Sequence, residues 1–161
     1  MPDKMTDIPA PKFELYEVTT EEEFADVFPV LKQLAIIETP ETVETLTAAK
    51  AWTQYQKSYE QNYRLYMANS TTEVLGVVGL RVCEDPINNG KPYGIINNLV
   101  VEEDYRGLGI GTDMLERVEM VAAKQKCDLC MIVTLKTNKK AKELYEHHGY
   151  NYVANMMVKE I

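Results

Sequence analysis

Basic residues are in short supply: 17 Lys+Arg stand against 25 Asp+Glu among 161 residues, a formal net charge of −8. Phosphate backbones need a basic surface, so nucleic acid is not an expected partner. An acidic surface can draw cationic partners such as amines, although solubility alone would account for the charge. Cysteine is scarce as well. Three in this length do not make a disulfide framework, and with no signal-like segment the cytoplasm is the expected compartment. No apolar run approaches the ~20 residues of a bilayer-spanning helix, so no membrane partner is expected either. Internal repeats and low-complexity linkers are missing too. What is present is 45% hydrophobic residues, the composition of an ordinary globular protein, in a length that suits one domain.

Residues 1–11, with Pro9 and Pro11, read as a flexible tail, and 12–161 as a single domain. Phe13, Leu15 and Glu17 alternate with Glu14, Tyr16 and Val18 in a short strand pattern. Thr20-x-x-Glu23 is a capping box, followed by Phe24, Val27, Phe28, Leu31, Leu34 and Ala35 at helical spacing. Pro29 predicts a kink there, or a second helix starting at that residue. Thr39-Pro40 predicts the start of the next helix, with Thr39 as N-cap and a packing stripe Ala48, Trp52, Tyr55, Tyr59.

Strands are expected at 63–68, 74–82 and 93–101, joined by polar turns that include Asn89-Gly90, hence an antiparallel meander. Ile110, Met114, Leu115, Val118 and Ala122 mark a helix. The continuous apolar run 129–135 suits a strand covered on both faces. Residues 138–148 form a helix stopped by Gly149, and 150–160 reads as a last strand with a break near Ala154-Asn155. The fold class is α/β, with a mixed, mostly antiparallel central sheet flanked by about four helices.

The chemistry concentrates in residues 97–112. A strand ends at Val101, an acidic turn (Glu102, Glu103, Asp104) follows and reads as solvated, and Gly107, Gly109 and Gly111 lead into a helix. A helix N-terminus offers unpaired N–H groups and a positive dipole end to an anion, and glycines let the backbone approach it closely. A P-loop is excluded because Gly111 is followed by Thr112-Asp113 rather than Lys-Ser/Thr. The dinucleotide fingerprint fails because Thr112 stands where the third glycine belongs.

Arg106-x-x-Gly109-x-Gly111 resembles the R/Q-x-x-G-x-G/A motif of the GNAT superfamily of acyl-CoA-dependent N-acyltransferases. Leu99-Val100-Val101 before it, and Asn138 and Tyr145 after it, fall where that family places its parts. The resemblance covers the order of elements from about Phe13 to Ile161 and is sharp over 97–150. It implies direct acetyl transfer from acetyl-CoA to an amine on a small molecule or peptide, without a metal or a covalent enzyme intermediate. It further implies that Arg106, Gly107, Leu108, Gly109, Ile110, Gly111 and Thr112 cradle the coenzyme pyrophosphate, chiefly through the backbone N–H groups of 107–112. Leu99, Val100 and Val101 pair with the pantetheine arm, and Asn138 belongs to the coenzyme side. By the same resemblance the strand splays from 129–135 to open a thioester cleft, and Tyr145 is the general acid for the departing thiolate.

The reaction needs a neutral amine. A Lys-like amine of pKa ~10.4 is only about one part in 2,500 neutral at pH 7, a cost of roughly 4.6 kcal/mol. It also needs an oxyanion donor, which a bulge would provide by freeing the N–H of Leu99 or Val100. Relatives often place a carboxylate base on this strand, where Asn97 and Asn98 stand here, and an amide is not a base; either a water chain leads to a remote carboxylate or the acceptor arrives already neutral. Glu38, Glu41 and Glu44 near the acceptor side can attract a cation, or simply pair with a helix dipole.

Cys127-x-x-Cys130 follows a helix, where the dipole raises rather than lowers a thiol pKa, so a redox pair is not expected. Zinc would need further ligands, with His147 and His148 the sole candidates, and these suit a helix C-terminus instead. Cys83 has no evident partner. A non-catalytic acyl-CoA-binding or sensing domain is the alternative, a nucleotide-binding module is a weaker one, and a homodimer stays open.

Overall fold

The computed structural model describes residues 9–86, 90–154 and 156–161; Asn89 of the expected Asn89-Gly90 turn and Asn155 of the expected break lie outside them. Five strands lie in the order β1-β2-β3-β4-β5: β1 (Glu14–Glu17), β2 (Tyr63–Asn69), β3 (Val74–Cys83), β4 (Tyr93–Val101) and β5 (Cys130–Ile132). The first four pair antiparallel, and β4 pairs parallel with β5. The helices are α1 (Glu21–Glu38), α2 (Ala48–Tyr59), α3 (Ile110–Lys124) and α4 (Lys139–His147). This is the mixed, mostly antiparallel α/β sheet with flanking helices that the sequence predicts.

Each sheet face carries its own core. On one face Leu75, Val78, Leu80 and Ile96 pack with Ile110, Met114, Leu115 and Val118 of α3 and with Tyr145 of α4. On the other, Leu65, Val77 and Val100 pack with Phe24, Val27 and Leu34 of α1 and Tyr55 of α2. The Tyr55 hydroxyl ties the second core together. It donates to Val18 O at 2.7 Å and accepts from Leu65 N at 3.0 Å, so a side chain closes the junction where β1 leaves β2.

Several local expectations need correction. The capping box forms, with Glu23 N donating to Thr20 Oγ1 at 3.2 Å and Thr20 N donating to Glu23 Oε2 at 3.0 Å. Helix α1 then runs unbroken through Pro29; burial of Phe24, Val27, Val30 and Leu34 on one stripe outweighs the lost hydrogen bond. Thr39-Pro40 opens only a 3₁₀ segment, Pro40–Thr45, which buries no residue and lacks a side-chain cap. The true cap of α2 is Thr47, whose side chain accepts from Lys50 N. Strand β5 spans three residues, and Leu129, Met131, Val133 and Leu135 are exposed, so the run is covered on one face only. Beyond Tyr150 no strand forms among the described residues.

Candidate active site

The site begins where β4 parts from β5. Pairing between them covers only Gly94–Ile96 against Cys130–Ile132; from Asn97 onward β4 has no β5 partner. Two buried side-chain oxygens lack a protein hydrogen-bond partner among the described residues, Asn97 Oδ1 and Thr134 Oγ1. Both belong to residues just past the last shared rung, at the root of the gap.

A bulge sits in the same stretch. Val77 faces Val100 and Gly79 faces Asn97, so three steps of β4 match two of β3. The parity of side chains proves the extra residue: Ile96 belongs to the α3 core and Val100 to the α1 core, whereas an even spacing along a plain strand would keep them on one face. Asn98 takes φ +50° in the bulge. Its Nδ2 donates to the Tyr63 hydroxyl at 2.7 Å, which secures the bulge to β2. Burial pushes the Tyr63 phenol up to about 12, although the Asn98 hydrogen bond and the Arg81 charge oppose the shift. Tyr63 therefore stays protonated at neutral pH.

Beyond β4 the chain turns through Glu102 into the glycine loop. Gly107 (φ +79°) and Gly109 (φ +81°) are left-handed, and Gly109 is the N-cap of α3. Only glycine takes that conformation without strain, and the result is a run of amides opening onto the free end of the helix. Gly111 differs: it is the second residue of α3, and a methyl group there would meet Val101 Cγ2 at 3.4 Å and Leu144 Cδ2 at 3.8 Å. Both are ordinary van der Waals contacts, so neither φ nor space demands glycine at this position.

The Arg106 side chain is turned back along the chain, with Nε on Val101 O at 2.8 Å and Nη2 on Gln33 Oε1 at 3.0 Å. Gln33 in turn donates Nε2 to Glu102 Oε1 at 2.8 Å and accepts from Glu103 N at 3.0 Å. Glu102 also accepts from Asp104 N at 2.7 Å. Burial raises the Glu102 carboxyl, but the Gln33 and backbone hydrogen bonds and the Arg106 charge outweigh it and hold the group below its usual range. The acidic turn is thus not merely solvated: Glu102 braces the loop, while Glu103 and Asp104 are exposed. Sequence reading missed Gln33 and Tyr63 altogether. Neither stands in a local motif; each reaches the site from a distant element.

Tyr145 is buried on α4, with its ring edge-on to Tyr150 at 6.2 Å. Burial, with Glu38 nearby, pushes its phenol up to about 12. Among the described residues no protein group hydrogen-bonds its hydroxyl, leaving the proton available to a ligand. Of the three acidic residues expected near the acceptor side, Glu38 is the one that reaches Tyr145 electrostatically; Glu41 and Glu44 are exposed. Asn138 is the N-cap of α4, its Oδ1 accepting from Ala141 N at 3.2 Å, so the carboxamide oxygen is committed to the helix.

The cysteines behave as packed side chains. Burial raises Cys127 and lifts Cys130 to about 11, the opposite of an activated thiol. No group of three metal-ligating side chains occurs among the described residues, and no helix is long and apolar enough to cross a membrane.

The chain is similar to known acetyltransferases. A 74-residue stretch is 36% identical to N-alpha-acetyltransferase 30 of Saccharomyces cerevisiae, covering 45% of this chain and 42% of that protein. The chain therefore spans less than half the length of this relative. The fold matches a ribosomal-protein-alanine N-acetyltransferase of Brucella melitensis (TM-score 0.78, 15% identity, 93% of this chain and 99% of that one). It also matches glucosamine-6-phosphate N-acetyltransferase of Arabidopsis thaliana (TM-score 0.70, 16% identity, 92% and 98%). The sequence model of the Acetyltransferase (GNAT) family matches residues 30–150. With that match over most of the chain, on this sheet and around this cleft, the protein belongs to the GNAT family of acetyltransferases.

Proposed function

We propose that the protein transfers an acetyl group from acetyl-CoA to a neutral amine by direct attack within the cleft between β4 and β5. The observation that carries this reading is the conjunction of that parting, beyond Ile96 and Ile132, with the left-handed turn at Gly107 and Gly109. An extended thioester arm fits as an added strand along the unpartnered part of β4, at Leu99, Val100 and Val101. The amides of Gly107, Leu108, Gly109, Ile110, Gly111 and Thr112 then face the pyrophosphate at the positive end of α3. Arg106 holds the turn in shape through Val101 O and Gln33, and Asn138 fixes the start of α4 beside the coenzyme.

Two of the chain's own groups carry the chemistry, a backbone N–H and a phenol. The bulge at Asn98 and Leu99 reorients backbone N–H groups that would otherwise serve the β3 ladder. The N–H of Leu99 or Val100 donates to the carbonyl oxygen as it gains charge. Tyr145, protonated up to about pH 12, gives its proton to the departing coenzyme sulfur as the C–S bond breaks, and the phenolate is reprotonated by the proton that the attacking nitrogen sheds once the C–N bond has formed. Asn97 and Asn98 cannot take a proton from the amine; of the two routes left, water to a remote carboxylate or an acceptor already neutral, we take the second. A peptide α-amino group, with pKa ~7.7–8.0, pays about 1 kcal/mol for this at pH 7, against roughly 4.6 for a Lys-like amine. Peptide α-amines are thus the favoured acceptors, in keeping with the similarity to N-alpha-acetyltransferase 30.

The test is release of coenzyme A thiol from acetyl-CoA with three acceptors: a peptide with a free α-amine, the same peptide N-blocked but carrying lysine, and a small diamine. The expected result is acceptor-dependent thiol release, fastest with the α-amine. Acetyl-CoA binding without release for any acceptor would leave a non-catalytic acyl-CoA sensor, and no binding would remove the reading.

A further inference from the structure

The glycine turn has little packing of its own to hold its shape. Gly107 and Gly109 are exposed, and a Cβ at either position would meet nothing within 4 Å. Tyr105 and Leu108 give the turn two half-buried footholds on the α3 core, while Glu103, Asp104 and Arg106 are exposed. Two left-handed residues on a surface loop keep their conformation only when the surroundings fix it.

A side chain from a distant element supplies that support. Gln33 stands on α1 next to buried Leu34, which packs with Phe24 and Val27 of the same helix in the core that includes Val100 of β4. The place of Gln33 is therefore set by that core and not by a ligand. Its carboxamide meets the turn at three points. Oε1 accepts from Glu103 N and from Arg106 Nη2, both at 3.0 Å, and Nε2 donates to Glu102 Oε1 at 2.8 Å. The polarities match, since a carboxylate faces the donor and an N–H and a guanidinium face the acceptor; only an amide offers both at once. Glu102 and Arg106 pass the constraint on. Glu102 accepts from Asp104 N at 2.7 Å, and Arg106 Nε donates to Val101 O at 2.8 Å, directly before Gly107.

We propose that Gln33 is a positioning residue for the coenzyme, acting through Glu102 and Arg106 to hold the amides of 107–112 in the arrangement that receives the pyrophosphate. The inference rests on the acetyl-CoA reading above and gives α1 a part in it that lies outside the glycine motif. A group that preorganises a binding turn shows itself in affinity rather than in the chemical step. The bulge at Asn98 is tied to Tyr63, and Tyr145 packs on Tyr150, so neither depends on the Gln33 amide.

The experiment compares the unaltered full chain with Gln33→Leu, with Gln33→Glu, and with the exchange variant Gln33→Glu/Glu102→Gln. Leucine keeps most of the volume and removes all three bonds. Glutamate keeps the two acceptor bonds but sets a carboxylate against Glu102. The exchange variant swaps amide and carboxylate, so a donor again faces an acceptor and each bond has a counterpart. Acetyl-CoA is titrated calorimetrically, and steady-state rates are taken with a peptide carrying a free α-amine. In both single variants Kd and KM for acetyl-CoA should rise about 10-fold, the scale of one charge-assisted hydrogen bond, with kcat nearly unchanged. The exchange variant should return to within ~2-fold of the unaltered protein, because the two sites act as one pair. In the coenzyme-free chain, hydrogen exchange at the Glu103 amide should be faster in Gln33→Leu and slow again in the exchange variant. Equal acetyl-CoA affinity in Gln33→Leu and the unaltered protein overturns the inference while leaving the proposed reaction standing. So does a loss in kcat alone, or an exchange variant as weak as the single ones. Absence of acetyl-CoA binding by the unaltered protein removes both.

Discussion

Gly109→Ala adds one methyl group at the N-cap of α3, where the backbone has φ +81° and ψ +2°. Nothing lies within 4 Å of the position that methyl would occupy, so the effect is torsional rather than steric. Holding an L-residue in the left-handed region costs about 1–2 kcal/mol, which at this chain length lowers Tm by about 2–8 °C. If the turn relaxes to negative φ instead, its amides rotate away from the coenzyme phosphates. The same 1–2 kcal/mol then appears as an acetyl-CoA affinity about 5- to 30-fold weaker. Gly111→Ala is the control: its methyl makes ordinary contacts with Val101 and Leu144, and alanine favours the helix by up to about 1 kcal/mol. Differential scanning calorimetry and isothermal titration with acetyl-CoA measure both variants. Unchanged melting and binding in Gly109→Ala would refute the argument, as would a larger loss in Gly111→Ala.

Tyr145→Phe should lower kcat by at least about 10-fold while leaving acetyl-CoA affinity nearly unchanged, since a general acid acts in the transition state; equal turnover would remove Tyr145 from the mechanism. Tyr55→Phe strands the buried Val18 carbonyl and Leu65 N–H that its hydroxyl serves, and urea unfolding should show a loss of about 2–4 kcal/mol. Glu23 is held below its usual value of 4.5, first by the Thr19 N–H, with burial opposing and the Thr20 N–H and the threonine hydroxyls adding to the fall. A depressed carboxyl stabilises the fold above pH 4.5 and stops doing so as pH falls through its folded value. Glu23→Gln should therefore be less stable than the unaltered protein near pH 7, with the gap narrowing below pH 4 in denaturation curves taken across that range.

Local grammar carried much of the fold into view from the sequence. The capping box at Thr20 and Glu23, the bounds of β4 and the stripe of α3 each depend on neighbours a few residues apart, and each forms as written. The errors arise where distant packing decides. Pro29 reads as a kink or as the start of a second helix, and the second alternative fails because α1 runs through it as one helix. Thr39-Pro40 reads as the helix start, yet the helix that buries a face, at Tyr55, begins eight residues later under the cap of Thr47, a residue the sequence reading did not single out. The runs after Leu129 and Tyr150 are strand-like in composition, but a strand forms only as far as a partner accompanies it. The glycine turn was legible because its geometry is local, whereas the link from Gln33 to Glu102 and Arg106 joins α1 to a loop about seventy residues away. No spacing rule reports that.

The central claim is that acyl-CoA lies along β4 and against the N-terminus of α3, and backbone amide resonances report it residue by residue. Titration of the ¹⁵N-labelled protein with acetyl-CoA should shift the amides of Leu99, Val100 and Val101 and those of 106–112 most, with α2 little changed. Shifts confined to any other face, or none at saturating acetyl-CoA, would contradict the account.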